Sequence, residues 1–338
     1  ISEEVIRIKG YENIPTSNIR SKSKINQNIL NYAQKKLMKT RHFIASIGYD
    51  ELVTFSFTDS KNCEVFGDIN KLKIVNPISE ELNILRPNLL PNLLQAIKKN
   101  KNRNFDSFSI FEIGSQYRST SPEDQLNVAC GIKSGIKTEK SWKNKKTEFD
   151  IYDAKQDLTS LIDYLIPGNK KISISNECPS WYHPGRSGSI KINNSVVVGY
   201  FGELHPRVAG QFKIKNRTNI FELYLDELPN TEKNNTNKPV LNLSDFQIVT
   251  RDFAFVIDKK VKGEEVVTSA FKVDKELIRN VEIFDLFEDD SLGKDKKSIA
   301  IKVTLQSNDK TLAENDISEI SSKIIESVEK STSGTVRS

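Results

Sequence analysis

From Ser244 to Ser338 the residue pattern spells out six elements whose order leaves few folds open. Val249 to Asp258 alternates apolar and polar side chains, as a half-buried strand does. Gly263 to Val273 then carries apolar residues at helical intervals. Two further strand patterns follow, Leu277 to Glu288 and Ser298 to Gln306, separated by the turn-rich stretch Asp289 to Asp295. From Leu312 to Lys330 the residues Ile317, Ile320, Ile324 and Val328 recur at helical spacing, and Thr332 to Arg337 closes the unit as a short strand.

Strand-helix-strand-strand-helix-strand is the ferredoxin-like split βαβ order, with both helices on one sheet face and the other face free. That order alone serves many functions. The residues narrow it: Arg251-Asp-Phe-Ala-Phe-Val-Ile-Asp258, Ile283-Phe-Asp-Leu-Phe287, Lys297-Ser-Ile-Ala-Ile-Lys302, Thr311-Leu312 and Gly334-Thr-Val-Arg337. These segments resemble the ferredoxin-fold anticodon-binding domain that ends bacterial phenylalanyl-tRNA synthetase beta subunits. The likeness extends upstream to Ile1, so it implies an α+β chain. A class II aminoacyl-tRNA synthetase-like antiparallel-sheet domain would precede the βαββαβ domain.

Residues 244–338 hold 15 Lys and Arg against 19 Asp and Glu, although the whole chain has a net charge of +5. Phosphate attraction normally dominates affinity for nucleic acid. An acidic RNA-binding unit must therefore gather its basic and hydrogen-bonding groups on one face, or share the phosphates with other domains. No run of about eighteen apolar residues suggests a membrane span, and no signal-peptide pattern is present. Cys63, Cys130 and Cys178 are isolated, which suggests neither a disulfide framework nor a zinc site. A reducing cytoplasm is the simplest compartment. The chain opens at Ile1 inside an apparent helix, as a fragment of something longer would.

Four blocks are expected. Residues 1–20 resemble the tail of the small domain that precedes the synthetase-like domain, and the resemblance implies that Glu3 and Glu4 help hold a magnesium ion shared with the alpha subunit. A hard cation takes about six oxygens, and first-turn carboxylates also complement a helix dipole. Residues 21–228 would form the synthetase-like domain, opening with an amphipathic helix from Ile25 to Ile47 along Ile25, Ile29, Ala33, Leu37 and Ile44. By resemblance that helix is the candidate contact with the alpha subunit; by pattern alone it is an ordinary core helix. Glu51 to Phe57 alternates as a strand, a second helix runs through Leu89, Leu93 and Ile97, and Ser109 to Gly114 is again a strand. Trp181 to Ser189 and Gly202 to Pro206 match the family closely and read by themselves as turns. The lysine-rich stretch Lys133 to Lys146 reads as a solvated excursion rather than an RNA patch. Residues 229–243 are polar and proline-bounded, as a linker is.

For RNA recognition, bases stack on aromatics and pair through their edges. On the third strand of the last domain Ile299, Ile301, Val303 and Leu305 point towards the helices, which leaves Lys302, Thr304 and Gln306 on the open face. Phe284, with Glu282 and Leu286 on its side of the second strand, reads as a stacking platform or as a core residue. Arg251 and Arg337 are candidates for phosphate contacts.

No catalytic residue is expected in this chain. Stabilising charge on the α-phosphate of ATP requires fixed arginines and magnesium. Asn104 to Glu112 offers no arginine after Arg103, and Arg217 to Leu225 lacks the glycine-rich strand and arginine-bearing helix of the third family motif. No Walker loop, GxGxxG, HExxH or GxSxG occurs. His42, His183 and His205 are scattered, and Glu203 and His205 form only a chance-level pair. The resemblance implies a scaffold for a catalytic alpha subunit in a heterotetramer of two alpha and two beta subunits. That assembly would use ATP and magnesium to attach phenylalanine to its tRNA. The competing expectation is a freestanding RNA-binding or regulatory module.

Overall fold

The computed structural model describes residues 1–17, 29–168, 172–193, 195–229, 240, 243–289, 292–293 and 295–337. The chain divides into two compact units, residues 1–236 and 237–338. The linker expected at 229–243 lies almost wholly outside the described residues.

In the first unit, α1 (Ser2–Lys9) ends at Gly10, whose φ of 89° is a conformation that favours glycine. The next helix starts later than its apolar stripe suggests. α2 (Tyr32–Ser46) begins where Asn31 and Gln34 cap one another: the Asn31 side chain accepts from the Gln34 N–H at 2.8 Å, and the Gln34 side chain accepts from the Asn31 N–H at 3.0 Å. Ile25 lies outside the described residues, and Ile29 stands before the helix, 88% exposed.

β1 (Asp50–Glu51) and β2 (Phe57–Thr58) are only the ends of the strand expected over 51–57. Between them the alternation runs backwards: Val53 and Phe55 face solvent, while Thr54 turns inward to Glu112, its hydroxyl donating at 2.8 Å. A buried carboxylate needing donors outweighs the apolar residues' preference for the interior. β3 (Ile84–Leu85) pairs with β2, and α3 (Leu90–Lys101) buries Leu90, Leu93, Leu94 and Ile97.

Seven strands then assemble into one sheet. β4 (Phe108–Tyr117) and β5 (Gln125–Ser134) form a hairpin; β6 (Ile136–Thr138) and β7 (Thr147–Glu148) form a small ribbon before α4 (Ile151–Leu165). β8 (Ile172–Ser175), β9 (Tyr182–Ile192), β10 (Val196–Leu204), α5 (Pro206–Gln211) and β11 (Thr218–Tyr224) complete it. The order is β1-β4-β5-β11-β10-β9-β8, with β1 parallel to β4 and every other neighbour antiparallel. Side-chain alternation sends Phe111, Phe221 and Leu223 to the core under α2 and α4, and Ile110, Cys130 and Ile220 to the core under α3. The segments at 181–189 and 202–206 are mostly strand rather than turns. Leu204 pairs with Tyr182, and a register shift between Gly202 and Leu204 absorbs the irregularity around Pro184.

The second unit follows the expected order. β12 (Val249–Asp258), α6 (Gly263–Phe271), β13 (Ile278–Phe287), β14 (Lys296–Leu305), α7 (Glu314–Thr332) and β15 (Thr335–Val336) form a sheet of order β13-β14-β12-β15. Phe255, Ile301, Val303, Val266, Ile324 and Val328 fill the core between this sheet and its helices. Burying each such side chain stabilises the fold by roughly 1.5–3 kcal/mol.

Candidate nucleic-acid interface

Within the second unit, register decides what stands on the sheet face away from the core. Across β12, β14 and β13 the facing residues are Thr250, Thr304 and Asn280, then Asp252, Lys302 and Glu282. Beyond them come Ala254, Ala300 and Asp285, and then Val256, Ser298 and Phe287. Their chain neighbours Phe255, Ile299 and Ile301 are buried on the opposite side.

Phe284 is not a core residue. It is 53% exposed, and the reason is a register shift in β13 between Ile283 and Asp285. A bulged residue opposes no partner and is freed from strict alternation. The same shift carries Leu286 opposite Ile299, onto the other face from Glu282, so the expected grouping of Glu282, Phe284 and Leu286 does not form. The Lys302 ammonium lies 5.5 Å from the centroid of the Phe284 ring. At the opposite edge Arg337 donates its backbone N–H to the Ala254 carbonyl at 2.7 Å, and its guanidinium lies 5.7 Å from the centroid of the Phe287 ring. Cation–ring contacts of this kind contribute about 0.5–1 kcal/mol when exposed, and they hold both cations down on the sheet.

Thus Lys302, Thr304, Phe284 and Arg337 meet on one face. Arg251 does not join them: it pairs in register with Val303, on the face that bears the helices, and its guanidinium donates to the Thr250 carbonyl at 3.2 Å. Gln306 is also committed elsewhere. Its amide donates to the Phe246 carbonyl at 2.9 Å and holds the segment that enters β12. Phe287 and Asn280 join the face unannounced by the sequence, because the bulge that orients one and the sheet edge that presents the other depend on β14. Asp252 and Glu282 flank Lys302 in register and Asp285 shares the face, so this face favours ring stacking and edge hydrogen bonds over bulk attraction of phosphate.

The first unit holds its charged groups differently. Arg86 and Glu112 are both buried and 2.7 Å apart, and Arg86 also donates to the Ser115 carbonyl at 2.8 Å. Glu222, fully buried, accepts from Asn88 at 2.7 Å, Tyr182 at 2.8 Å and Trp181 at 3.1 Å. Burial raises its pKa against these donors, and burial next to Glu222 raises that of the Tyr182 hydroxyl. Burial likewise pushes the Cys63 thiol up to about 12. His205 caps α5 by accepting from the Arg207 N–H, His183 accepts from the Gly185 N–H, and Glu203 pairs with Arg186 at 2.7 Å. Glu203 and His205 are therefore separately engaged.

Of the expected interface residues, Leu37 is half-buried against the core and Ile44 is completely buried. Glu4 binds Arg7 at 2.9 Å, and among the described residues no three His, Cys, Asp or Glu side chains assemble a group that could hold a metal. The described residues thus do not form a magnesium site around Glu3 and Glu4. Among the described residues no helix is long and apolar enough to cross a membrane.

Residues 14–225 match the family described as the phenylalanyl tRNA synthetase beta chain CLM domain, and residues 244–337 match the ferredoxin-fold anticodon binding domain. The phenylalanine–tRNA ligase beta subunit of Bartonella henselae is 38% identical over 341 residues, covering 99% of this chain and 42% of that protein. The same-named subunit of Paramagnetospirillum magneticum is 38% identical over 337 residues, with 99% and 42% covered. The chain thus spans about two-fifths of the length of these relatives. A pyrrolysyl tRNA synthetase structure from Desulfitobacterium hafniense overlaps 57% of this chain and 66% of its own at 13% identity and a TM-score of 0.42, too weak a likeness to carry an inference. With both of its domains matched and its relatives aligned over nearly its whole length, the chain belongs to the phenylalanyl-tRNA synthetase beta-chain family.

Proposed function

We propose that this chain is part of a phenylalanine–tRNA ligase beta subunit, which supports ATP-dependent attachment of phenylalanine to its tRNA without supplying the catalytic residues. The observation that carries this reading is the face formed by Phe284, Lys302, Thr304 and Arg337 within the domain that matches the anticodon-binding family. An exposed ring offers a base a stacking surface, and Lys302, Thr304 and Asn280 offer donors to base edges or to the backbone. The interior charges of the first unit support its catalytic inertness. Arg86, a fixed cation in the synthetase-like domain, is spent on Glu112 and on a main-chain carbonyl.

The first unit would be a non-catalytic class II synthetase-like domain, and its sheet, antiparallel except for the edge strand β1, suits that assignment. Its partner would be the catalytic alpha subunit, in a cytoplasmic heterotetramer of two alpha and two beta subunits. Contact through the outward row Val53 and Phe55 fits the structure better than contact through Ile44 of α2, which is core. ATP and magnesium would be handled by the alpha subunit. Domain limits of 1–20, 21–228, 229–243 and 244–338 complete this reading.

Co-expression with the catalytic subunit is the test. A stable complex that charges tRNA with phenylalanine, together with no pyrophosphate exchange by this chain alone, is expected. Activation of phenylalanine by this chain alone would overturn the assignment of catalysis to the partner.

A further inference from the structure

One end of the seven-stranded sheet carries a feature that anticodon recognition does not use. In register, Phe108 of β4, Ser134 of β5 and Thr218 of β11 stand side by side, so the loops that precede or follow them gather there. The Ile136 N–H donates to the Ser107 hydroxyl at 2.9 Å, Asn216 donates to the Asp106 carbonyl at 2.9 Å, and the Ser134 hydroxyl donates to the Arg217 carbonyl at 3.0 Å. Gly135, at a φ of 90°, permits this approach: a β-carbon there would lie 2.4 Å from the Asp106 carbonyl oxygen.

The β6–β7 ribbon projects from this junction. Lys137 anchors its root on Asp153 at 2.6 Å, and at its tip the Ser141 N–H donates to the Asn144 carbonyl at 3.0 Å, closing a turn. That turn holds Trp142 97% exposed, between Lys140 and Lys143 and just ahead of Lys145 and Lys146. Arg103 and the exposed Phe105 lie on the first of the neighbouring loops, and Lys213, Lys215 and Arg217 on the other. Over 102–107, 138–148 and 213–217 there are eight Lys and Arg against three Asp and Glu. None of these eight cations is in an ion pair among the described residues.

Leaving a whole indole in water and massing unpaired cations around it both cost the isolated chain something. A polyanion with exposed ring faces removes both costs, since lysines neutralise phosphates and an indole stacks on a base. We propose that this end of the sheet is a second RNA-binding surface, which grips the phosphate backbone of the tRNA outside its anticodon, with Trp142 stacked on an unpaired or terminal base. The pairing of functions is complementary: the acidic second unit recognises, and this surface supplies the attraction that it lacks. The inference rests on the tRNA-binding reading above.

The test measures binding of the full chain to a labelled tRNAPhe transcript across a salt series, alongside vesicles containing phosphatidylserine. Replacing Lys140, Lys143, Lys145 and Lys146 by Ala should weaken tRNA binding about ten- to a hundredfold near 0.1 M salt and lower the slope of log affinity against log salt by about 3. Trp142→Ala should weaken binding about fivefold with the slope unchanged, and Trp142→Phe should restore it. The inference is overturned if the quadruple variant keeps wild-type affinity and slope while Phe284→Ala still weakens binding, a result that leaves the anticodon reading standing. It is equally overturned if the four lysines matter for vesicles and not for tRNA. Absence of any tRNA binding by the wild-type chain would remove both readings together.

Discussion

Arg86 in the first unit and Arg337 in the second are the same residue put to opposite uses. Arg86 is buried on Glu112 and on the Ser115 carbonyl, with Thr54 completing the group; Arg337 lies over the ring of Phe287 on an open sheet face. Glu222 and Glu282 repeat the contrast, the first sealed under Trp181, Tyr182 and Asn88, the second exposed beside Lys302 in register. The lesson concerns where polar groups can act on a ligand. A charge whose hydrogen bonds are all made inside the fold specifies the packing and has nothing left for a substrate, whereas one held only by a ring face can trade that contact for RNA.

Substitutions can break this contrast. Glu112→Ala should have the largest effect, costing about 3–5 kcal/mol of stability because it strands a buried guanidinium; denaturant unfolding would read it, and a loss under 1 kcal/mol would mean that Arg86 finds water. Phe284→Ala should leave stability almost unchanged yet weaken tRNA binding by roughly fivefold to a hundredfold, the range of one base stack. Equal affinities in a titration would remove Phe284 from the interface. Asn31→Ala should cost about 1 kcal/mol, the usual worth of a helix cap, seen as a small drop in melting temperature. A null result would place the start of α2 under tertiary control.

The smallest effect concerns pH. Burial holds the Glu222 carboxyl above its ordinary pKa, so the folded chain binds that proton more tightly than the unfolded one does. Its contribution is fully present below the unfolded value and fades as pH rises through the folded one. The stability of the wild type relative to Glu222→Gln should therefore decline as pH rises from about 4 towards neutrality. A flat or rising difference would show the three donors outweighing desolvation.

Much of the second unit was legible because its strands and helices repeat with the periods that burial imposes: Ile299, Ile301, Val303 and Leu305 all face the core as alternation requires. Lys302 and Thr304 follow from the same parity. Arg251 was named from resemblance without a face, and parity sets it with Val303. Phe284 was legible as a possibility, yet its exposure needed the bulge, which leaves no mark in an alternating sequence. In the first unit the α2 stripe was visible, but the Asn31–Gln34 cap cut it short, and Ile44 turned out to be core. The inverted strand around Val53 and Phe55 could not be read at all, since it depends on Glu112, 58 residues away from Thr54.

The sequence by itself determined the order of elements in the second unit, the family, and the apolar faces that must be buried, because these rest on local periodicity and on motifs read in a line. Only the tertiary structure decided which cations are spent and which are free. That outcome depends on partners distant in the chain, such as Glu112 for Arg86 and Phe287 for Arg337. It also depends on which loops a shared sheet end brings together.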